Sequence, residues 1–199
     1  MLLPSICEIR SGYTARGRLE AAQSGGVLAI QLGDVAPEGR VQVGHLTRLL
    51  IDAPPDRYFV RAGDVLFRSR GEKTTAAAIP QEFPEAALAL LPLIVLRPQH
   101  GSLLPEYLAW AINQAPAQRH LEASARGTSM RMIPRSAFED LNIDVPDLHA
   151  QRLIVETAEL AGRERKLASE IADKRYRLVH AALVAAATHP AHHVERKMK

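Results

Sequence analysis

The first hundred residues alternate short apolar runs with glycine, proline and polar residues. Runs of this length, bounded by turn-forming residues, are typical of β-strands. No helical pattern separates them, so we predict a largely antiparallel or mixed, strongly curved sheet. The predicted strands lie at residues 27–35, 41–51, 58–60, 65–68, 74–79 and 87–96.

Helical spacing begins after the last of these runs. Pro105 stands where a helix can start, and Pro116 must end or kink it, which leaves room for a second short helix. Tyr107 and Trp110 lie three residues apart on the first helix, a spacing that favours core packing over base stacking. We also predict a helical turn at residues 136–141 and a strand at 142–145.

The sequence predicts one uninterrupted helix from residue 148 to about residue 187. This segment contains a single glycine, Gly162, and no proline, and the next proline is Pro190. Its leucine and isoleucine residues recur every seven positions with one four-residue shift, which is the pattern of a coiled-coil seam. A helix that exposes such a seam needs a partner helix to be stable. The predicted partner-helix residues are Leu153, Leu160, Leu167, Ile171 and Leu178.

These patterns indicate an α+β fold in three parts. Residues 1–147 form a globular domain, residues 148–187 the long helix, and residues 188–199 a polar tail that we expect to be disordered. Histidines in the tail leave metal binding open, but ligand spacing alone is weak evidence, and no specific metal site is predicted. These histidines are His189, His192 and His193.

The charge distribution bears on nucleic-acid binding. Charges nearly balance over residues 1–150, and the net charge of +3 comes from the residues that follow. A strong sequence-independent DNA binder is usually more basic, because phosphate neutralisation drives its affinity. Every cationic side chain before residue 151 except Lys73 is arginine, whose planar fork fits guanine edges and phosphates. A GC-rich genome would produce the same bias.

Several other classes of protein find no support in the sequence. Cys7 is the single cysteine, so no intramolecular disulfide can form and a reducing cytoplasm is the simplest location. The longest apolar run, residues 86–96, is broken by Pro92, and we expect no membrane span or signal peptide. The segment 52–56 resembles an amino-methyltransferase signature but ends in Asp56 instead of an aromatic residue. Since no other catalytic motif is present, we predict a non-catalytic protein.

A succession of short motifs carries a family resemblance. They are the segment at 11–18, the Gly-Asp pairs at 33–34 and 63–64, the glycine turn and proline exit at 126–134, the strand-like segment 141–146, and Gln151 at the start of the long helix. In this order they resemble a target-recognition domain of the specificity (S) subunit of type I restriction-modification enzymes. The resemblance covers most of residues 8–185. Two positions depart from it, since Ala15 replaces a usual proline and Ala150 a usual glutamate.

The resemblance implies a function and a set of partners. The chain would be the sequence-specific DNA-recognition subunit of a type I, or related phage-defence, restriction-modification complex, directing a separate methyltransferase to its target. The implied partners are double-stranded DNA and a methyltransferase subunit, with a restriction subunit left open. No cofactor is expected here, because S-adenosylmethionine would belong to the methyltransferase. A full S subunit has two recognition domains and two long helices, so one of each implies a half-sized subunit that forms a homodimer through the helix.

Three loops hold the candidate DNA-binding residues. Arginines, hydroxyls and backbone amides beside glycine turns suit phosphates and base edges. Solubilising turns and helix caps are the alternatives for the same residues. An alternative function, a protein-interaction or inhibitory module that does not read DNA, is favoured by the near-neutral domain and opposed by the arginine loops. The candidates are Thr14, Arg16, Arg18, Arg68, Ser69, Arg70, Lys73, Arg126, Thr128, Ser129 and Arg131.

Overall fold

The chain combines strands, short helices and one long helix, which confirms the predicted α+β fold class. The computed structural model describes residues 1–15, 17–71, 73–99, 101–127 and 131–188. The chain divides into two compact units, Met1–Val155 and Glu156–Lys199. None of the described helices has the length and apolar content that crossing a membrane requires.

Strands and helices are numbered along the chain. The strands are β1 (Cys7–Ser11), β2 (Val27–Ile30), β3 (Val35–Ala36), β4 (Arg40–Val41), β5 (Thr47–Leu49), β6 (Phe59–Val60), β7 (Val65–Arg68), β8 (Thr75–Ala78), β9 (Ala87–Ala89) and β10 (Leu93–Pro98). The helices are α1 (Pro105–Ile112), α2 (Ala115–Ala123) and α3 (Leu148–Thr188). Short 3-10 turns lie at Leu3–Ser5, Leu32–Asp34, Val43–His45, Asp56–Tyr58 and Arg135–Phe138.

Two four-stranded sheets lie in the described part of the first unit. One has the order β1-β10-β7-β8 with all neighbours antiparallel. The other has the order β5-β2-β9-β6, in which β2 and β9 are parallel, so the predicted mixed sheet is confirmed. The run predicted as one strand at 87–96 is two strands, because a turn at Leu91 and Pro92 takes the chain from the second sheet into the first.

The first sheet is buried on both faces, which explains the unbroken apolar sequence of β7. Val65 and Phe67 point to the core shared with α1. Leu66 points to the opposite core, which the second sheet closes. The rings of Phe67 and Phe138 meet edge to face with centroids 4.9 Å apart, so the segment after α2 also packs on this sheet.

Helix α1 packs its aromatic residues inward. Tyr107 is buried and donates a hydrogen bond of 2.6 Å to the backbone oxygen of Asp144. Burial, together with the Asp144 carboxylate, raises the pKa of the Tyr107 hydroxyl. The partly buried ring of Trp110 lies 5.5 Å from that of Tyr107. Core packing, as the spacing predicted, is confirmed for both.

Asn113, the residue directly after α1, pairs with strand β8 through its side-chain amide. Its Oδ1 accepts the backbone N–H of Ala76 at 2.8 Å, and its Nδ2 donates to the backbone oxygen of Ala76 at 2.8 Å. Thr75 adds a hydroxyl hydrogen bond of 3.1 Å to the same Oδ1. The amide therefore occupies the position that the backbone of a neighbouring strand would take.

A buried ion pair joins the start of β7 to the end of β10. Asp64 is 2% exposed and accepts two hydrogen bonds of 2.6 Å from Arg97 and one of 2.9 Å from the backbone N–H of Arg61. Arg97 also donates to the backbone oxygen of Phe59 at 3.2 Å. Its hydrogen bonds to Asp64 raise the pKa of Arg97. This bidentate ion pair fixes β7 and β10 side by side.

The two Gly-Asp motifs share one local geometry. In each, the aspartate Oδ2 accepts the backbone N–H three residues earlier, at 2.7 Å from Gln31 to Asp34 and at 2.9 Å in the second motif. Gly63 has φ +85°, a conformation that favours glycine. The motif is thus an aspartate-closed turn that starts a strand.

Helix α3 begins with a side-chain cap and a buried amide. Asp147 Oδ1 accepts the backbone N–H of Ala150 at 2.9 Å, which confirms the predicted N-cap. Gln151 is 0% exposed. It accepts the N–H of Leu104 at 2.9 Å and donates to the backbone oxygens of Ser102 and Pro146 at 2.7 Å each. The first turn of the helix is therefore bound to the segment that precedes α1.

The predicted strand at 142–145 is wrong. Only Asn142 forms a β-bridge, with Leu2, and Ile143 donates to the backbone oxygen of Met1 at 2.9 Å. The pairing stops there because the chain turns into the 3-10 helix Leu3–Ser5, which removes the partner strand. The predicted helical turn at 136–141 is the shorter 3-10 helix Arg135–Phe138.

Removing the cation of the buried pair should destabilise the fold. We expect Arg97→Ala to lower the free energy of unfolding by about 3 kcal/mol, because the Asp64 carboxylate stays buried without its partner. Arg135→Ala is the control, since its pair with Glu139 is exposed on the surface and should contribute less than about 0.5 kcal/mol. Urea unfolding followed by the fluorescence of Trp110 measures both, and equal losses would contradict the assignment.

Replacing Gln151 should also destabilise the first unit. Gln151→Leu leaves the N–H of Leu104 and two carbonyl oxygens without their partner, which we expect to cost about 3 kcal/mol. The neighbouring exposed residue provides the control, and Arg152→Ala should change the free energy of unfolding by less than about 0.5 kcal/mol. Urea unfolding again measures the difference. Unchanged stability of Gln151→Leu would show that the amide does not hold the helix.

Candidate nucleic-acid interface

The second and third predicted loops meet in the structure. The backbone N–H of Ile133 donates to the backbone oxygen of Ser69 at 2.9 Å, and Met132 forms a β-bridge with Arg70. On its other side Met132 exchanges two backbone hydrogen bonds of 2.9 Å with Arg126. Residues distant in sequence thus form one short three-segment ladder beyond the end of β7.

This ladder places three side chains in a line. Residues directly opposite each other in a β-bridge project to the same face. Arg70, Met132 and Arg126 therefore stand side by side, and all three are exposed. We call them the Arg-Met-Arg row. Among the described residues, neither Arg70 nor Arg126 forms a side-chain hydrogen bond or an ion pair.

A groove lies beside the ladder. Side chains alternate along a strand, so Arg131 projects to the face of the ladder opposite to Met132. Its guanidinium donates to the backbone oxygen of Glu122 at 3.1 Å. The groove holds about 490 Å³, and Lys73 and Arg131 line it together with the carboxylates of Glu38 and Glu122. Its remaining lining is Pro37, Gly71, Thr74, Thr75, Asn113, Gln118, Ala125 and Ile133. Both donors and acceptors thus face this space.

Two predicted DNA-binding residues in the second loop bind the protein itself. Arg68 is half-buried and donates to the backbone oxygens of Val35 at 3.1 Å and Arg70 at 3.4 Å. Ser69 is buried, and its hydroxyl donates to the backbone oxygen of Pro92. Because this segment continues β7, both side chains hold the loop in place. DNA contact by Arg68 or Ser69 stays a prediction.

Glycine is required where the second loop turns past Arg68. Gly71 has φ +119°, which L-residues rarely adopt. A Cβ there would also lie 3.1 Å from Nη2 of Arg68. The glycine therefore gives the guanidinium room to reach the backbone oxygens that it binds.

The first predicted loop is attached through the turn between β9 and β10. The backbone N–H of Tyr13 donates to the backbone oxygen of Ala89 at 2.7 Å. The backbone oxygen of Tyr13 accepts the N–H of Leu91 at 3.0 Å. Position 12 requires glycine, because a Cβ there would clash with the backbone of Leu90 at 2.7 Å. Since Pro92 binds Ser69, one turn supports the first and second loops together.

The remaining candidates of the first and third loops are placed only in part. Thr14 is exposed and lines a hollow of about 390 Å³ with Tyr13, while Arg18 is exposed farther along. Three of the predicted residues lie outside the described residues. They are Arg16, Thr128 and Ser129.

The seam of helix α3 is exposed. Leu160, Leu167 and Leu178 are 60%, 59% and 72% exposed, and Leu153 and Ile171 are 50% exposed. Gln151 is the one residue of this helix that is buried among those described. Further exposed apolar side chains, which the heptad pattern did not include, are Tyr176, Val179, Leu183 and Val184.

Metal ligands and the single cysteine are further candidates for chemistry in the described residues. Among them no group of three histidine, cysteine or acidic side chains is arranged to hold a metal ion. Burial, followed by the charges of Asp64 and Glu8, raises the pKa of the Cys7 thiol to about 12. A thiol that is protonated at neutral pH is a poor nucleophile. The tail histidines of the sequence lie outside the described residues.

Sequence reasoning missed two residues that shape this surface. Met132 was read only as part of a turn motif, and its place between two arginines depends on pairing with residue 70, far away in the chain. Asn113 gave no signal beyond its position after a helix, yet it borders the groove and holds β8. One signal in the sequence could have pointed to Met132, because it is an apolar residue in a loop that was otherwise predicted to bind DNA through charged and polar side chains.

Comparison with known proteins gives a result only at the level of structure. No protein-family model matches the chain. No curated protein matches it either.

Solved structures do match the chain. A chain from a study of complex assembly and conformational transition of the type I R-M system has TM-score 0.66 at 19% identity, covering 93% of this chain and 44% of that one. The HsdS subunit from Thermoanaerobacter tengcongensis has TM-score 0.64 at 18% identity, covering 98% and 51%. The type I restriction-modification S subunit from M. genitalium has TM-score 0.52 at 16% identity, covering 88% and 42%.

The fold is therefore that of type I restriction-modification specificity subunits. The chain spans about half the length of these structures. The resemblance carried by the sequence motifs is confirmed in the fold.

Proposed function

We propose that the chain is the non-catalytic, sequence-specific DNA-recognition subunit of a type I or related restriction-modification complex. The observation that carries the proposal is the convergence of two predicted loops into the Arg-Met-Arg row, on a domain with the specificity-subunit fold. The row presents two guanidinium groups that have no side-chain partner among the described residues, and guanidinium groups suit guanine edges and phosphates. The groove, which the alternation of residues 131 and 132 places on the opposite face of the ladder, contains Lys73 and Arg131.

Roles follow from the placement of each side chain. Arg70 and Arg126 are exposed on the ladder, and we assign them to direct DNA contact. Lys73 and Arg131 share their groove with Glu38 and Glu122, so their charge is partly balanced there. A groove with both donors and carboxylate acceptors suits base edges better than a continuous run of phosphates. This composition agrees with the near-neutral domain.

The long helix supplies the second half of the proposal. Its apolar seam is exposed, and a helix of this kind is stable only when another helix covers the seam. A second copy of the chain would cover this seam with its own helix and supply another recognition domain. The dimer would present both domains to DNA and bind the methyltransferase that carries S-adenosylmethionine. A two-fold axis requires the target to be an inverted repeat.

Removal of the row's arginines tests DNA recognition. We expect Arg70→Ala and Arg126→Ala each to weaken binding to the selected site by about 1 to 3 kcal/mol if they read bases. A phosphate contact would instead weaken all sequences alike and flatten the salt dependence. The control is Arg135→Ala, which removes an exposed arginine that is not part of the row and pairs with Glu139. The measurement is site selection from random DNA followed by titration, with the methyltransferase present.

The outcomes separate the two candidate functions. A selected inverted repeat that depends on Arg70 and Arg126 supports the DNA-recognition subunit. No selected site from the wild-type chain, together with tight binding to the methyltransferase, would favour the interaction module. Unchanged affinity in both alanine variants would remove the row from the interface.

Substitution of the helix seam tests assembly. We expect the double variant Leu160→Asp and Leu167→Asp to convert a dimer into a monomer, because two charges would be buried in the helix interface. The double variant Ala161→Asp and Arg165→Asp adds the same residues to positions outside the seam and should stay dimeric. Light scattering measures the mass of each. A wild-type monomer that also fails to bind the methyltransferase would contradict the assembly.

A further inference from the structure

The Arg-Met-Arg row has a partly exposed apolar side chain at its centre. Met132 is 41% exposed, whereas the next residue, Ile133, is 3% exposed and belongs to the core beside α1. The strand segment thus buries one side chain and presents the other. The backbone of Met132 already holds the ladder together, and any residue could supply those hydrogen bonds. A methionine between two arginines therefore points to a ligand with an apolar group between polar ones.

The dimensions of the row fit the major groove of DNA. Met132 and Arg126 exchange both backbone hydrogen bonds, and Arg70 bridges from the other side. Opposed residues in such pairs lie about 4.5 to 5.5 Å apart, so the row measures roughly 10 Å from arginine to arginine. The major groove is about 12 Å wide and admits a two-stranded ribbon. The three-segment ladder is wider than such a ribbon, but the side chains that project from the row can reach base edges in the groove.

We propose that Met132 is a specificity-determining residue that contacts the C5-methyl group of a thymine in the target. Thymine is the base that presents a methyl group in the major groove, beside the hydrogen-bonding edges that arginine reads. The methionine thioether is polarisable and flexible, so it packs well on such a group. The inference rests on the proposed function, since it assigns one base contact to the same surface.

The geometry favours this contact over a wedge between base pairs. Wedge residues protrude from the protein so that they can separate a base step. Met132 instead lies in the middle of a row, with an exposed side chain on each flank and backbone pairing on both sides. A side chain placed like this meets the edges of bases and not the space between them.

The test removes one methyl group from the DNA. Each thymine of the selected site is replaced in turn by uracil, which keeps the hydrogen bonds and lacks the methyl. For the full chain with its methyltransferase, we expect one replacement to weaken binding about fourfold, the worth of one buried carbon group. Met132→Ala should bind thymine and uracil sites equally. Met132→Leu keeps an apolar side chain and should retain part of the discrimination.

A matched control comes from another exposed apolar residue. Leu50 is 58% exposed and lies outside the row, so Leu50→Ala should discriminate thymine from uracil as the wild type does. Wild-type indifference to uracil at every thymine, or discrimination that persists in Met132→Ala, overturns the contact while DNA recognition stands. Equal weakening of all sequences by Met132→Ala, without a uracil effect, indicates a wedge and also overturns it. Absence of any selected site removes both the contact and the proposed function.

Discussion

The buried pair of Asp64 and Arg97 is the constraint on which the rest of the first unit depends. It clamps the beginning of β7 to the end of β10, and the antiparallel register then fixes the opposite ends of the same two strands. Those opposite ends lead to Ser69 and Pro92, whose hydrogen bond supports the loops of the candidate interface. A carboxylate at the other end of these strands thus helps to determine where the candidate interface lies.

The interface separates side chains that hold the loops from side chains that face outward. Arg68 and Ser69 bind backbone oxygens within the protein, while Arg70 and Met132 remain exposed. Fixing the backbone with the first pair leaves the outward pair free to vary without loss of the fold. Such a division suits a recognition protein, because new specificity can arise from a few exposed positions on a constant frame.

Short sequence patterns predicted the elements that are determined by neighbouring residues, such as an apolar run or a helix cap. Strand β7 appeared at the predicted residues because its apolar run is buried on both faces, and α3 began at its Asp147 cap. Contacts between distant segments were beyond the sequence. The strand expected at 142–145 depended on a partner that turns away, and the inward use of Ser69 depended on Pro92 in another strand. Arginine-rich loops indicated a candidate interface, but the pairing of residue 70 with residue 132, which brings two of those loops together, could not be predicted from the sequence.

The side-chain amide of Asn113 also affects how copies of the protein behave in solution. Strand β8 ends its sheet, and an open sheet edge is a template on which another polypeptide can add a strand and begin aggregation. Asn113 fills the central hydrogen-bonding site of that edge, and Gly39 approaches the same backbone oxygen from outside. Because Asn113 occupies this edge, a further strand cannot add to β8 there. One side-chain amide thereby protects this sheet edge from uncontrolled strand addition.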